Sequence, residues 1–209
     1  MNDDLNSVKT VSPGERSYHH GALRPALIRA AVEVLAERGP DGFSLRETAR
    51  RAGVSPAAPA HHFGDARGLL TAIATEAFRD FGDALAAADK GADRAARIRA
   101  QGVAYVRFAL DDPARFHLMW RKALLDTADP EYAETAHRAF LLLDGVVRGE
   151  EAALSVSPRD LALAPSIACW SIVHGFAMLA LDGTFGDEPR AAERAADALL
   201  PLVLDHLAI

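Results

Sequence analysis

Two pairs of adjacent histidines, His19–His20 and His61–His62, stand closest to metal chemistry in this chain of 209 residues. A zinc site needs three or four nitrogen, sulfur or carboxylate ligands that converge. Adjacent side chains point apart on a helix or a strand. No cysteine or paired acid completes either pair, so no metal is expected. No Ser-His-Asp spacing, phosphate loop, zinc motif or carboxylate pair stands out, so neither a catalytic activity nor a cofactor is expected.

Charge is more informative. The chain carries a net −6. Between Arg16 and Phe63, however, seven arginines (16, 24, 29, 38, 46, 50, 51) face four acids (Glu33, Glu37, Asp41, Glu47), a local +3 that leaves −9 for the rest. Four of the eight histidines lie there too. A mildly basic segment on an acidic body is the asymmetry a DNA-binding unit shows.

The elements that must position these residues read as helices. Leu and Ala dominate and β-branched residues are sparse, and no strand-period run or internal repeat is present. Leu23, Leu27, Ala30, Ala31, Val34 and Leu35 recur at helical spacing, which predicts a helix over 23–38, stopped by Gly39-Pro40-Asp41-Gly42. Ser44-Leu45-Arg46-Glu47 has the spacing of a capping box and opens a second helix to about Arg51. Ala52-Gly53-Val54 is a three-residue turn. Ser55 is the expected cap of a third helix, with Pro56 at its first position and an end near Phe63. Asp65 caps a long fourth helix that buries Leu69, Leu70, Ile73, Ala77, Phe81 and Leu85. Further helices are expected over 93–111, 113–120, 131–154, 160–182 and 188–207, the last kinked by Pro201. The fold class is all-α: a small N-terminal three-helix unit and a larger bundle, about nine helices in all. Residues 1–17 read as a flexible arm, 18–64 as the first domain and 65–209 as the second.

Leu161 to Leu181 contains no Asp, Glu, Lys or Arg and is long enough to span a bilayer. Pro165, Ser166, Ser171, His174 and Gly175 interrupt it, and no basic cluster flanks it. A helix apolar all round because it has several partners accounts for it better, so no membrane is expected. The start of the chain is polar, and Cys169 has no partner for an intrachain disulfide. The reading is therefore cytoplasmic, without a secretory signal.

Two helices joined by a short glycine turn, with a third before them, describe a helix-turn-helix unit. The spelling resembles the N-terminal domain of TetR-family transcriptional regulators. Tyr18-His19-His20-Gly21, Leu23-Arg24, Ser44-Leu45-Arg46-Glu47, Arg50-Arg51-Ala52-Gly53-Val54-Ser55-Pro56-Ala57-Ala58-Pro59 and His62-Phe63 carry the match. Trp170-Ser171-Ile172-Val173-His174-Gly175, with Asp112-Pro113 and Phe116, resembles a subgroup with a WHG-type C-terminal domain. The resemblance implies a homodimer whose two units read a palindromic, double-stranded DNA operator. It implies a C-terminal bundle that dimerises and holds an unknown small-molecule effector, and most such proteins are repressors released by ligand.

On that reading the third helix presents Ser55, Ala57, Ala58 and His61 to the major groove, and His62 packs or touches one phosphate. Ser44 and Arg46 are phosphate contacts, or else a capping serine and a solvated arginine. Arg16, Tyr18, His19, His20 and Arg24 form an arm for the backbone or minor groove, or stay disordered without DNA. Arg67, beside the slot at which the family's phosphate-binding lysine usually begins the fourth helix, is a further candidate DNA contact. Two positions depart from the family: Ala60 replaces a usual tyrosine and Ala66 a usual phosphate-binding lysine. This leaves a rival reading, a TetR-like small-molecule or protein-binding dimer with weak or lost DNA binding. Phe116, His117, Met119, Trp120, Phe140, Trp170 and His174 are candidates for the effector pocket, against a plain core. His174 lies on an uncharged helix and needs a partner: a bundle acid, a carbonyl, the second subunit or a ligand. Val173, Ala177, Leu181, Leu199, Leu202 and Val203 are candidates for the subunit seam.

Overall fold

A computed structural model describes residues 13–153 and 160–206, with side chains over 23–151 and 160–206. Among the described residues every regular element is helical, as the composition predicts. Helix α1 (Pro13–Arg38) begins ten residues before the expected start at Leu23, so Pro13 to Ser17, assigned to the arm, are helical backbone. The side chains of Arg16, Tyr18, His19 and His20 lie outside the described residues, as do residues 1–12 of the arm. Of the expected inward residues of α1, Leu27, Ala30, Ala31, Val34 and Leu35 are buried and Leu23 is half-buried; Ile28 is buried as well.

Helix α2 (Leu45–Arg51) ends in paired backbone bonds: Val54 N–H donates to the Ala49 carbonyl and Gly53 N–H to that of Arg50. This is the Schellman arrangement, and it places Gly53 at φ 68, where a side chain would be strained. Helix α3 is shorter than expected, Ala58–Phe63, and Ser55 does not cap it. The reason is Pro59. A helix capped at Ser55 would close its first turn by donating the N–H of residue 59 to the Ser55 carbonyl, and proline has none. Ala58 N–H takes that carbonyl instead at 3.0 Å, and the α-helix starts two residues late, at Ala58.

Helix α4 (Ala66–Ala88) runs from this unit into the bundle. Asp65 caps it by accepting from Gly68 N–H at 2.8 Å. All six of its expected core residues are buried. Helix α5 (Arg94–Asp111) lies against α4, α7 (Pro130–Arg148), α9 (Ala164–Leu181), α10 (Ala191–Ala198) and α11 (Leu200–Asp205). The expected 188–207 helix is broken at Leu199 because Pro201 cannot donate to the Asp197 carbonyl. The four-residue α8 (Glu150–Ala153) follows α7 across Gly149. Counting α8 with α7 and the two halves of the last helix together gives the nine expected. Helix α6 (Pro113–Met119), capped by Asp112, packs against both α1 and α4, so it touches both parts of the molecule.

The junction of α3 and α4 leaves no room for a side chain at Gly68, where a Cβ would lie 1.9 Å from the Phe63 carbonyl oxygen. Gly68→Ala should destabilise the protein by about 1–3 kcal/mol. A denaturant midpoint equal to the parent's would contradict this packing.

Candidate nucleic-acid interface and ligand cavity

The cap of α2 forms only by half. Ser44 Oγ accepts from Glu47 N–H at 3.4 Å, and Thr48 Oγ1 donates to the Ser44 carbonyl at 3.0 Å. The Glu47 carboxylate does not reach back to close the box. It accepts from Arg50 Nε at 2.9 Å, Arg50 Nη2 at 2.8 Å and Arg51 Nε at 3.0 Å, with Arg38 at 3.6 Å. Hydrogen bonds from Arg50 and Arg51 hold its pKa at about 2. Arg51 also forks onto Glu37. Three of the arginines that made the segment basic are thus paired with its own acids. Arg46 is exposed and makes no ion pair among the described residues. Arg24 lies 5.2 Å from the centroid of the Phe63 ring and 3.6 Å from Glu76, turned toward the α3–α4 junction.

On the α3 segment, Ser55, Ala57, Ala60 and His61 are exposed, and Ala58 and His62 are half-buried. The His61 and His62 rings meet edge-on, with centroids 5.5 Å apart, and among the described residues no cluster of three His, Cys, Asp or Glu could hold a metal. Arg67 is exposed and donates to the Ala123 carbonyl at 3.3 Å.

The bundle encloses an open cavity of about 360 Å³ between α4, α5, α7 and α9. Of the expected pocket residues, Met119, Trp120, Phe140 and Trp170 line it. Phe116 is fully buried behind the wall, its ring 6.0 Å from Trp120 and 5.9 Å from Tyr105. His117 and His174 are not on the wall either. His174 finds a partner outside the four anticipated: its Nδ1 lies 2.9 Å from the Tyr105 hydroxyl, which also accepts from Trp170 Nε1 at 3.2 Å. Burial raises the Tyr105 pKa well above its ordinary range, so the hydroxyl keeps its proton and can give it to a neutral imidazole. Tyr105, Phe78, Phe81, Tyr132, Lys122 and Ile167 also line the cavity, beyond the expected pocket residues. Tyr105 and Phe81 have only the spacing of core residues, and nothing in the local sequence marks Lys122.

The seam candidates divide. Val173 and Ala177 are buried within the single chain at 1% and 0% exposure, so they are not seam residues. They lie on the face of α9 that meets α5, away from the outward residues Ser171 and Leu179. Leu181 and Val203 are half-buried, and Leu199 and Leu202 are exposed at 42% and 58%. The uncharged run Leu161–Leu181 is long and apolar enough to cross a membrane, and about a third of its most apolar stretch is buried in the bundle.

Burial, then the charge of His117, lowers the pKa of His174 below its ordinary 6.5. A lowered histidine pKa favours folding above the unfolded value, and that stability is lost as pH falls through the folded one. The denaturant midpoint should therefore drop below pH 6.5, and His174→Asn should flatten part of the drop. An unchanged pH profile would contradict a half-buried imidazole held neutral. Tyr105→Phe, which strands both partners, should cost about 1–3 kcal/mol.

Comparison with known proteins accounts for both parts of this architecture. Residues 27–73 match the family described as "Bacterial regulatory proteins, tetR family", and residues 98–203 match "Tetracyclin repressor-like, C-terminal domain". A solved protein of unknown function from Rhodococcus sp. RHA1 is 32% identical, with TM-score 0.71 over 93% of this chain and 100% of its own. The TetR family transcriptional regulator PfmR from Thermus thermophilus is 24% identical, with TM-score 0.65 over 88% of this chain and 99% of its own. FadR from Bacillus subtilis, solved in complex with stearoyl-CoA, is 17% identical, with TM-score 0.64 over 86% and 97%. The last two likenesses show the fold alone. No curated protein is significantly similar. With its N-terminal helix-turn-helix unit and its C-terminal bundle both matched, the chain belongs to the TetR family of bacterial transcriptional regulators.

Proposed function

We propose that the protein is a cytoplasmic, ligand-responsive repressor without catalytic activity that binds a palindromic operator as a homodimer. The observation that carries this reading is one short segment shared by the cavity and the DNA-binding unit. Met119, Trp120 and Lys122 line the cavity. Between them Arg121 forks onto Asp41, in the connection between α1 and α2. Arg67, at the start of α4, donates to the Ala123 carbonyl, and Asp126 N–H donates to Thr71 Oγ1 at 2.8 Å. A ligand that displaces the 119–126 segment would shift the start of α4 and the helices before it. Such a ligand acts only through a difference in affinity between the two arrangements.

The exposed Ser171 and Leu179 of α9, with Leu199 and Leu202 at the α10–α11 break, supply a largely apolar surface for a two-fold seam. Leu199→Glu with Leu202→Glu should give monomers in sedimentation. A dimer that survives both charges would place the seam elsewhere.

One observation favours the rival reading of weakened DNA binding: Arg38, Arg50 and Arg51 are paired with acids, and Ala60 and Ala66 offer no phosphate contact. Gel shift against the intergenic DNA upstream of the gene separates the two. Binding no tighter than to random duplex would refute the repressor. If the repressor reading holds, Arg46→Ala should weaken binding alike across operator variants and reduce the salt slope by about 1 for each phosphate that Arg46 neutralises. An unchanged slope would place Arg46 off the phosphates.

A further inference from the structure

The cavity wall carries donors and no carboxylate. Its body is aromatic and aliphatic, chiefly Phe78, Phe81, Met119, Phe140 and Leu143. The Tyr105 hydroxyl is occupied by Trp170 and His174. Three polar side chains on the wall remain, and all can donate. Trp120 has a buried indole N–H with no acceptor among the described residues. The Tyr132 hydroxyl and the Lys122 ammonium also have no hydrogen-bond or ion-pair partner among the described residues. No Asp or Glu lines the cavity. Lys122 is exposed yet on the wall, which places it at the mouth. The neighbouring Arg121 is committed to Asp41, so Lys122 is the one cation on the wall among the described residues.

We infer that the cavity binds a small apolar monocarboxylate, its chain against the aromatic wall and its head group at Lys122. The inference rests on reading the cavity as the effector site and names the ligand class. A carboxylate accepts and does not donate, which complements a wall of donors. A charge taken out of water must be paired, and Lys122 supplies the pair where solvent still reaches. An amine would meet a like charge at the mouth and find no acid. A neutral hydrocarbon would use none of these donors. Size narrows the class: about 360 Å³ is the share of roughly a dozen water molecules at ~30 Å³ each, so the ligand has roughly a dozen non-hydrogen atoms.

Decanoate, decanol and decylamine have about this size and differ in the charge of the head group. The chain's two tryptophans, Trp120 and Trp170, both line the cavity with ring centroids 5.6 Å apart, so intrinsic emission reports occupancy. Titration of the full-length protein at neutral pH should give saturable changes, with decanoate binding about tenfold more tightly than decanol and decylamine weakest. Lys122→Gln should bring decanoate to the level of decanol and leave decanol unchanged. Equal affinities in the parent, a preference that survives Lys122→Gln, or no saturable change with decanoate would each overturn the inference. Gel shift with saturating decanoate tests the other reading separately. Bound decanoate that fails to release operator DNA would refute the ligand-responsive repressor and leave the ligand class standing.

Discussion

Helix α6 is the constraint on which the molecule depends. It is seven residues long, and Phe116, Leu118 and Met119 are fully buried. So short a helix has almost no stability of its own and holds its form through packing. It packs on α1 and on α4, and it delivers Met119 and Trp120 to the cavity wall. A close-packed interior does not deform smoothly. A change in the cavity therefore has few places to go except into the helices that α6 and the following turn touch.

The electrostatics of the DNA-binding unit look different once the side chains are placed. A net count of charges does not say which arginines its acids hold. In the folded unit Glu47 gathers Arg50 and Arg51 and stands near Arg38, while Arg51 also reaches Glu37. These contacts tie α1 to α2 and orient the helix-turn-helix. The same cations are then less available to phosphate. Arg46 is left as the exposed cation on α2 without an acid partner among the described residues, and the alanine-rich α3 offers shape more than charge. Affinity for DNA depends on phosphate neutralisation, so the way in which the unit is held together bears directly on how strongly it can bind.

In the bundle, Tyr105 joins the core to the cavity. It sits on α5, the helix in contact with most of the others, and holds Trp170 on the wall and His174 behind it. His174 therefore positions a wall residue through Tyr105 and is not itself on the wall. Such a buried polar cluster is stable only when each member is satisfied.

The class of fold, the order of helices, the glycine turn at Gly53 and the inward face of α4 are legible in the residues alone. These follow from local rules: helical spacing, capping residues, and the conformations open to glycine and proline. The sequence also carried enough of the family's spelling to name the DNA-binding unit, and Met119, Trp120, Phe140 and Trp170 proved to be on the cavity wall. The packed fold settles what depends on residues far apart in the chain. It moved the start of α3, because Pro56 marks a first helical position while Pro59 removes the bond that would begin there. It turned Val173 and Ala177 inward, since hydrophobicity does not say which face of an all-apolar helix meets its own chain. It paired His174 with a tyrosine 69 residues away and set Lys122, unmarked by any local pattern, at the mouth of the cavity. Helical phase and partner choice are properties of the packed bundle, and a linear pattern does not contain them.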